Sequence, residues 1–171
     1  FGATGISATS SGQGGIVQVG NDGDIAVLQG TKYGYGAYGI FASGDGDTGI
    51  ANHGNVSAYS AGAATGVAAL SFAGDAHVTN SGDIEATSTA TAYYGATGIL
   101  AFGANGSASV QNSGSVTASA AGILYSEARA VDAQALGDVA VANSGTLYAN
   151  GEKYAFGVYA ISGSGDLAVS N

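Results

Sequence analysis

Gly74-Asp-Ala-His-Val-Thr-Asn-Ser-Gly-Asp-Ile-Glu-Ala86 is the stretch that decides the fold. Ala76 and Val78 precede Asn80 at alternate positions, and Ile84 and Ala86 follow it in the same phase. An apolar period of two is the mark of a strand that turns every second side chain to a core. Gly74 and Gly82 punctuate the runs, as turns and corners require. The pattern then repeats. Its Asn returns as Asn21, Asn52, Asn80, Asn112, Asn143 and Asn171, at intervals of 31, 28, 32, 31 and 28 residues. Six residues before each anchor stands Gly15, Gly46, Gly74, Gly106, Gly137 or Gly165, and two residues after the first five stands Gly23, Gly54, Gly82, Gly114 or Gly145. Val or Ile always lies two positions before the anchor, and Ile, Val or Leu four positions after the first five.

A second block, Ala-x-Gly-Ile-x-Ala, precedes each anchor. Its Ile or Val is Ile6, Ile40, Val67, Ile99, Val131 or Val158, and its Gly is replaced once, by Ala130. Gly/Ala linkers do not keep β-branched residues in register over six copies. Each repeat therefore reads as three short strands, illustrated by 66–70, 76–80 and 83–87, with a bend or bulge at the first glycine, where the alternation changes parity. Copies at a near-constant period stack strand on strand. The expected fold is all-β: a right-handed parallel β-helix, or β-solenoid, of about five and a half coils of a roughly thirty-residue repeat. At ~4.8 Å per coil the rod is about 26 Å long. Length varies in the arm from the last strand to the next block, 9 or 13 residues, and by at most three residues from the block's Ile or Val to the next Gly, so loops are expected on one or two edges. Most tyrosines fall there: Tyr33, Tyr35, Tyr93, Tyr94, Tyr125 and Tyr154. Residues 1–171 read as one solenoid segment, expected to be a fragment of a longer repetitive protein.

Composition narrows the function. Apolar residues make up 46% of the 171, charged residues only 9%, and the net charge is −9. Three basic residues, Lys32, Arg129 and Lys153, cannot neutralise a phosphate backbone, so nucleic acid is not an expected partner. No apolar run reaches the ~18 residues of a membrane helix. The chain has no Cys, which removes disulfides and thiolate metal sites.

The run 74–86, preceded by Ala-Thr-Gly-Val-Ala-Ala at 64–69, resembles repeats in the passenger domains of Gram-negative autotransporters. The resemblance extends over essentially the whole chain. It implies a right-handed β-helix exported to the bacterial cell surface or released from it. It does not imply one activity, because passengers include adhesins, aggregation factors, proteases and esterases.

Candidate chemistry is sparse. The six Asn form an expected ladder, each amide bonding its copies above and below and local backbone. Asp47, Asp75, Asp138 and Asp166 share the column five residues before the anchor, interrupted by Ser107 and Ile16. Each follows a turn glycine and reads as a turn cap. A calcium ion between stacked carboxylates is the competing reading, since like charges ~4.8 Å apart repel by about 0.9 kcal/mol in water. His53 and His77 occupy different register positions, so no metal site is expected from them. Lys32, Arg129 and Lys153 also fall at three different positions and form no expected cluster, so no catalytic residue is assigned and no cofactor is expected. The column Thr4, Tyr38, Thr65, Thr97, Arg129, Phe156 is too irregular for an ice-binding array. The expectation is a non-enzymatic extracellular stalk that attaches to surfaces or associates with itself, in aggregates, filaments or biofilm. Expected partners are other copies, neighbouring coils of a parent chain, surface glycans or host surfaces. The rivals are a passive spacer displaying a distal domain and a polysaccharide-acting β-helix enzyme.

Overall fold

The structure is a computed structural model that describes residues 2–30, 36–90, 95–122 and 126–171. Most of the tyrosines assigned to loops, namely Tyr33, Tyr35, Tyr93, Tyr94 and Tyr125, lie outside these residues, as does Lys32. Among the described residues seventeen strands follow one another. Coil one contains β1 (Ala3–Thr9), β2 (Val17–Asn21) and β3 (Ile25–Gln29), and coil two β4 (Ala37–Gly44), β5 (Thr48–Asn52) and β6 (Val56–Ser60). Coil three contains β7 (Ala64–Ser71), β8 (Ala76–Asn80) and β9 (Ile84–Ser88), and coil four β10 (Ala96–Gly103), β11 (Ala108–Asn112) and β12 (Ser115–Ala120). Coil five contains β13 (Glu127–Ala135), β14 (Val139–Asn143) and β15 (Thr146–Gly151), and the last coil β16 (Tyr154–Ser162) and β17 (Leu167–Ser170).

Every third strand pairs, always in parallel. The first wall runs β1-β4-β7-β10-β13-β16, the second β2-β5-β8-β11-β14-β17, and the third β3-β6-β9-β12-β15. The pairing register equals the sequence repeat: Asn52 opposes Asn80, Val67 opposes Ile99, and Val56 opposes Ile84. This is the three-walled parallel β-solenoid that the repeat predicts, and the described residues contain no helix. The core is a narrow column of β-branched and Ala side chains, among them Ile40, Val67, Ile99 and Val131 from the first wall and Ile50, Val78, Val110 and Val141 from the second.

The parity change on the first wall has a steric cause. In β7, Val67 and Ala69 belong to the core cluster, while Gly66 is buried directly beside Val67. Two consecutive residues thus face inward. A Cβ on Gly66 would lie 2.3 Å from Ile84 Cγ2 on the third wall and 2.6 Å from the Gly98 carbonyl oxygen of the next coil. Gly39 meets Val56 in the same way, and Gly98 meets Val116. Here the glycine makes room for a β-branched side chain across the core. The exception is informative: where Ala130 replaces Gly, the opposing residue is Leu147, which branches one carbon further out.

The corner glycines have a related origin. Among the described residues only Gly14 (φ 69°) and Gly36 (φ 108°) are left-handed, and neither belongs to the two glycine columns. Those columns instead serve close stacking. A Cβ on Gly82 would sit 2.1 Å from the Gly54 carbonyl oxygen, and one on Gly106 2.2 Å from that of Gly74. Gly23, in the first coil with no described coil beneath it, meets nothing.

Candidate functional site

Two of the corners between walls are closed by repeated hydrogen-bond devices. At the turn from the second to the third wall, the Asn side chains form a continuous ladder. Asn21, Asn52, Asn80 and Asn112 each donate from Nδ2 to Oδ1 of the next Asn at 2.7 Å, and Asn143 donates to Asn171 at 2.6 Å. The second hydrogen of each Nδ2 goes to the carbonyl two residues on, as in Asn52 to Gly54 at 2.7 Å and Asn80 to Gly82 at 2.8 Å. The anchor backbone is used as well: His53 N–H donates to the Asn21 carbonyl, and Ser81 N–H to that of Asn52. An amide is the side chain that fits, because it offers two donors and an acceptor on one plane.

The Asp column lies at the corner between the first and second walls and is exposed. Its carboxylates accept backbone N–H groups from the coil above: Asp75 N–H reaches Asp47 Oδ1 at 3.0 Å, Ser107 N–H reaches Asp75 Oδ1 at 2.7 Å, and Asp166 N–H reaches Asp138 Oδ1 at 2.8 Å. The carboxylates thus bond between coils, and not within their own turn as a simple turn cap would. A second column of this kind, unassigned from sequence, stands three residues after the anchor. Asn55 N–H donates to Asp24 Oδ1, Asp83 N–H to Asn55 Oδ1, and Ser115 N–H to Asp83 Oδ1, at 3.1 to 3.3 Å. Its members, Asp24, Asn55, Asp83, Ser115 and Thr146, are all short polar residues, a signal present in the repeat. Among the described residues no three His, Asp or Glu side chains converge as a metal would require. The histidines are apart: His53 Nδ1 contacts Asp22 Oδ1 at 2.9 Å, and His77 bridges Ser109 and Thr79.

The outer surface of the first wall differs from the other two. Because the parity changes at the Gly of each block, its outward positions are one, four and six residues after the leading Ala. They carry Thr4, Ser7 and Thr9 in coil one, Tyr38, Phe41 and Ser43 in coil two, Thr65, Ala68 and Leu70 in coil three, Thr97, Leu100 and Phe102 in coil four, and Phe156, Tyr159 and Ile161 in coil six. Ala68 is fully covered although it points away from the core. Tyr38 packs edge-on against Phe41 at 5.3 Å, and Phe156 against Tyr159 at 5.4 Å. The outward faces of the second and third walls carry mainly small polar residues such as Gln18, Ser109, Gln111, Ser57 and Thr117, with Leu28 and Tyr59 exposed on adjacent rungs and Tyr148 exposed alone.

Coil five interrupts the apolar wall with charge. Arg129 makes a bidentate pair with Glu127, Nε to Oε1 at 3.0 Å and Nη2 to Oε2 at 2.9 Å, and its Nη1 donates to Asp132 Oδ2. Gln134 completes Asp132 through Oδ1 at 2.7 Å, and the guanidinium lies 4.2 Å from the centre of the Tyr159 ring. Asp132 is 3% exposed, so the network is both shielded and paired. Burial of the Arg129 guanidinium works against its charge, but the hydrogen bonds and charges of Asp132 and Glu127 outweigh it and raise its pKa above the ordinary arginine value. Lys153 lies on the neighbouring rung, its Nζ 5.3 Å from the Tyr154 ring centre. Lys153 aligns with Ser126, three residues before Arg129 along the wall, so the two basic residues keep different register positions, as expected.

The chain matches no protein-family model, no curated protein and no solved structure.

Proposed function

We propose that this solenoid is an extracellular adhesive stalk, of the kind found in autotransporter passengers, and that the outer face of its first wall makes the contacts. The observation that carries this reading is the contrast between walls: the first wall's outer face gathers aromatic and aliphatic side chains in coils two to four and again in coil six, and the other two faces are mainly small and polar. Contiguous apolar surface on a soluble protein marks contact sites, whereas single exposed apolar residues do not. The face measures roughly 24 by 26 Å, from strand spacing and strand rise. That is about 600 Å², below the ~800 Å² per partner of a standard interface. One segment therefore binds weakly, and firm attachment comes from many copies displayed together. The same weak charge that leaves the wall sticky disfavours nucleic acid and anionic membranes, given a net charge of −9.

The rod itself is suited to the work. The Asn ladder and the two Asx columns tie every coil to the next, and stacked coils leave no lateral sheet edge to unzip. The reading includes no catalysis: Arg129 is held by two carboxylates and kept protonated, so it cannot serve as a base. Display of the segment on a non-aggregating bacterial cell tests the proposal. Clumping or attachment to a surface or glycan supports it. If neither occurs, the adhesive reading fails and the segment is a spacer, for which the regular second and third walls would suffice.

A further inference from the structure

The column one residue after the leading Ala is irregular in a particular way. Reading up the first wall it presents Tyr38, Thr65, Thr97, Arg129 and Phe156 on successive strands. Two small residues thus lie between an aromatic bank and a charged one. In the adjoining column Ala63 and Gly95 lie between Gly36 and Glu127, so there only the charged bank recurs. Large banks and a small floor make a notch two rungs wide, or about 10 Å at the strand spacing of a sheet. The notch is a real cleft of 240 Å³, lined by Thr65, Thr97, Gly95, Glu127 and Arg129 among others. It is smaller than the ~300–1,000 Å³ of a drug-sized pocket and open along its length.

Its chemistry is that of hydroxyl recognition. The hydroxyls of Thr65 and Thr97 make no hydrogen bond among the described residues. Arg129 uses three of its five N–H groups on Glu127 and Asp132, which leaves two donors. Glu127 retains acceptor lone pairs at the rim. These groups are fixed before any ligand arrives, because Arg129 is clamped on both sides and lies against Tyr159. Past the charged bank Tyr154 and Phe156 stack at 6.4 Å with an interplanar angle of 20°, an aromatic shelf on the same face. Paired donors and acceptors beside flat rings fit a sugar, whose hydroxyls need both and whose C–H faces pack on aromatics. Acidic sugars would meet a protein of net charge −9, which selects neutral ones.

From this geometry we infer that the notch between Tyr38 and Arg129 on the first wall is a binding site for a neutral oligosaccharide of one or two rings. The inference rests on the adhesive reading and specifies its ligand. The test uses the full 171-residue chain, labelled with nitrogen-15 and titrated with cellobiose, lactose and diacetylchitobiose. At least one of them should shift the amides of Thr65, Thr97 and Arg129 saturably, with a millimolar Kd. Thr97→Phe fills the notch with a residue the same column already accepts at Phe156, and should weaken binding at least tenfold with an unchanged far-ultraviolet spectrum. A double Thr65→Val and Thr97→Val variant keeps the shape, removes both hydroxyls and should weaken binding at least fivefold, whereas Thr87→Phe on the third wall should not. The inference is overturned if none of the three sugars shifts these amides, if Thr97→Phe binds as well as the parent, or if a basic aromatic peptide occupies the notch and no sugar does. Adhesion of cells displaying the segment that persists without any sugar binding would leave the adhesive reading standing and remove this one alone.

Discussion

Replacing Asn80 by Ala tests how the coils are joined. Asn80 is 1% exposed and sits in the middle of the ladder. Its side chain takes part in three hydrogen bonds: it accepts from Asn52 at 2.7 Å and donates to Gly82 at 2.8 Å and to Asn112 at 2.7 Å. Each bond contributes a net ~0.5–1.5 kcal/mol, and a buried partner left unpaired adds a desolvation penalty. Asn52 keeps its bond to Gly54 and Asn112 its donors, so the worst orphan is Asn112 Oδ1. The cost should be about 3 kcal/mol, the upper end of the ~1–3 kcal/mol that the loss of a buried turn amide suggests. Asn171→Ala is the internal control, since that side chain makes one ladder bond and is exposed, and it should cost under about 1 kcal/mol. Urea unfolding followed by circular dichroism gives both values. Equal costs at Asn80 and Asn171, or a loss at Asn80 below about 0.5 kcal/mol, would refute the claim that the ladder couples the coils.

Four other outcomes follow from the same packing. Gly66→Ala should destabilise by about 1–3 kcal/mol through overpacking, and adding Ile84→Leu, which recreates the Ala130 and Leu147 pairing, should recover part of that in a double-mutant cycle. Thr48 is the one described residue with a buried side-chain oxygen that has no partner, in a column otherwise filled by Val17, Ala76, Ala108, Val139 and Leu167, so Thr48→Val should raise stability by about 1 kcal/mol in the same urea assay. Arg129→Met leaves the covered Asp132 carboxylate without its cation and should lower stability by about 3 kcal/mol; a change within about 0.5 kcal/mol would show that the network is only a surface contact. Because the Asp columns already accept backbone N–H groups between coils, removal of calcium with a chelator should move Tm by no more than about 2 °C, whereas a loss of tens of degrees would mean that the carboxylates hold an ion.

Much of the architecture was legible because stacking makes sequence period and strand register the same quantity. Val78 had to oppose Val110, and Asn80 had to oppose Asn112, once the intervals were counted. The glycines were legible as positions but not as causes. They marked turns and corners, and the structure adds the cause: most are too close to the adjacent coil to carry a Cβ. The Arg129 network was hidden for a definite reason. Arg129 and Asp132 differ by an odd number of residues, so simple alternation puts them on opposite faces. The parity change within the block brings them to the same face, and only then do Glu127, Arg129, Asp132 and Gln134 line up. The second Asx column was readable from five short polar residues but carries no β-branched or glycine signature to draw attention to it.

The contact role of the first wall is tested most directly by changing that face and nothing else. Phe41, Leu100 and Phe102 are partly buried and point outward, so Ser at all three positions removes the middle of the apolar stripe and leaves the core residues in place. Attachment and clumping of cells displaying the triple variant should be compared with those of the parent and of a variant with Ser at Leu28, Tyr59 and Tyr148 on the third wall. The account predicts at least a tenfold drop for the first-wall variant alone, at equal display and with the β-sheet spectrum retained. Undiminished attachment by that variant, or an equal drop from the third-wall variant, would contradict it.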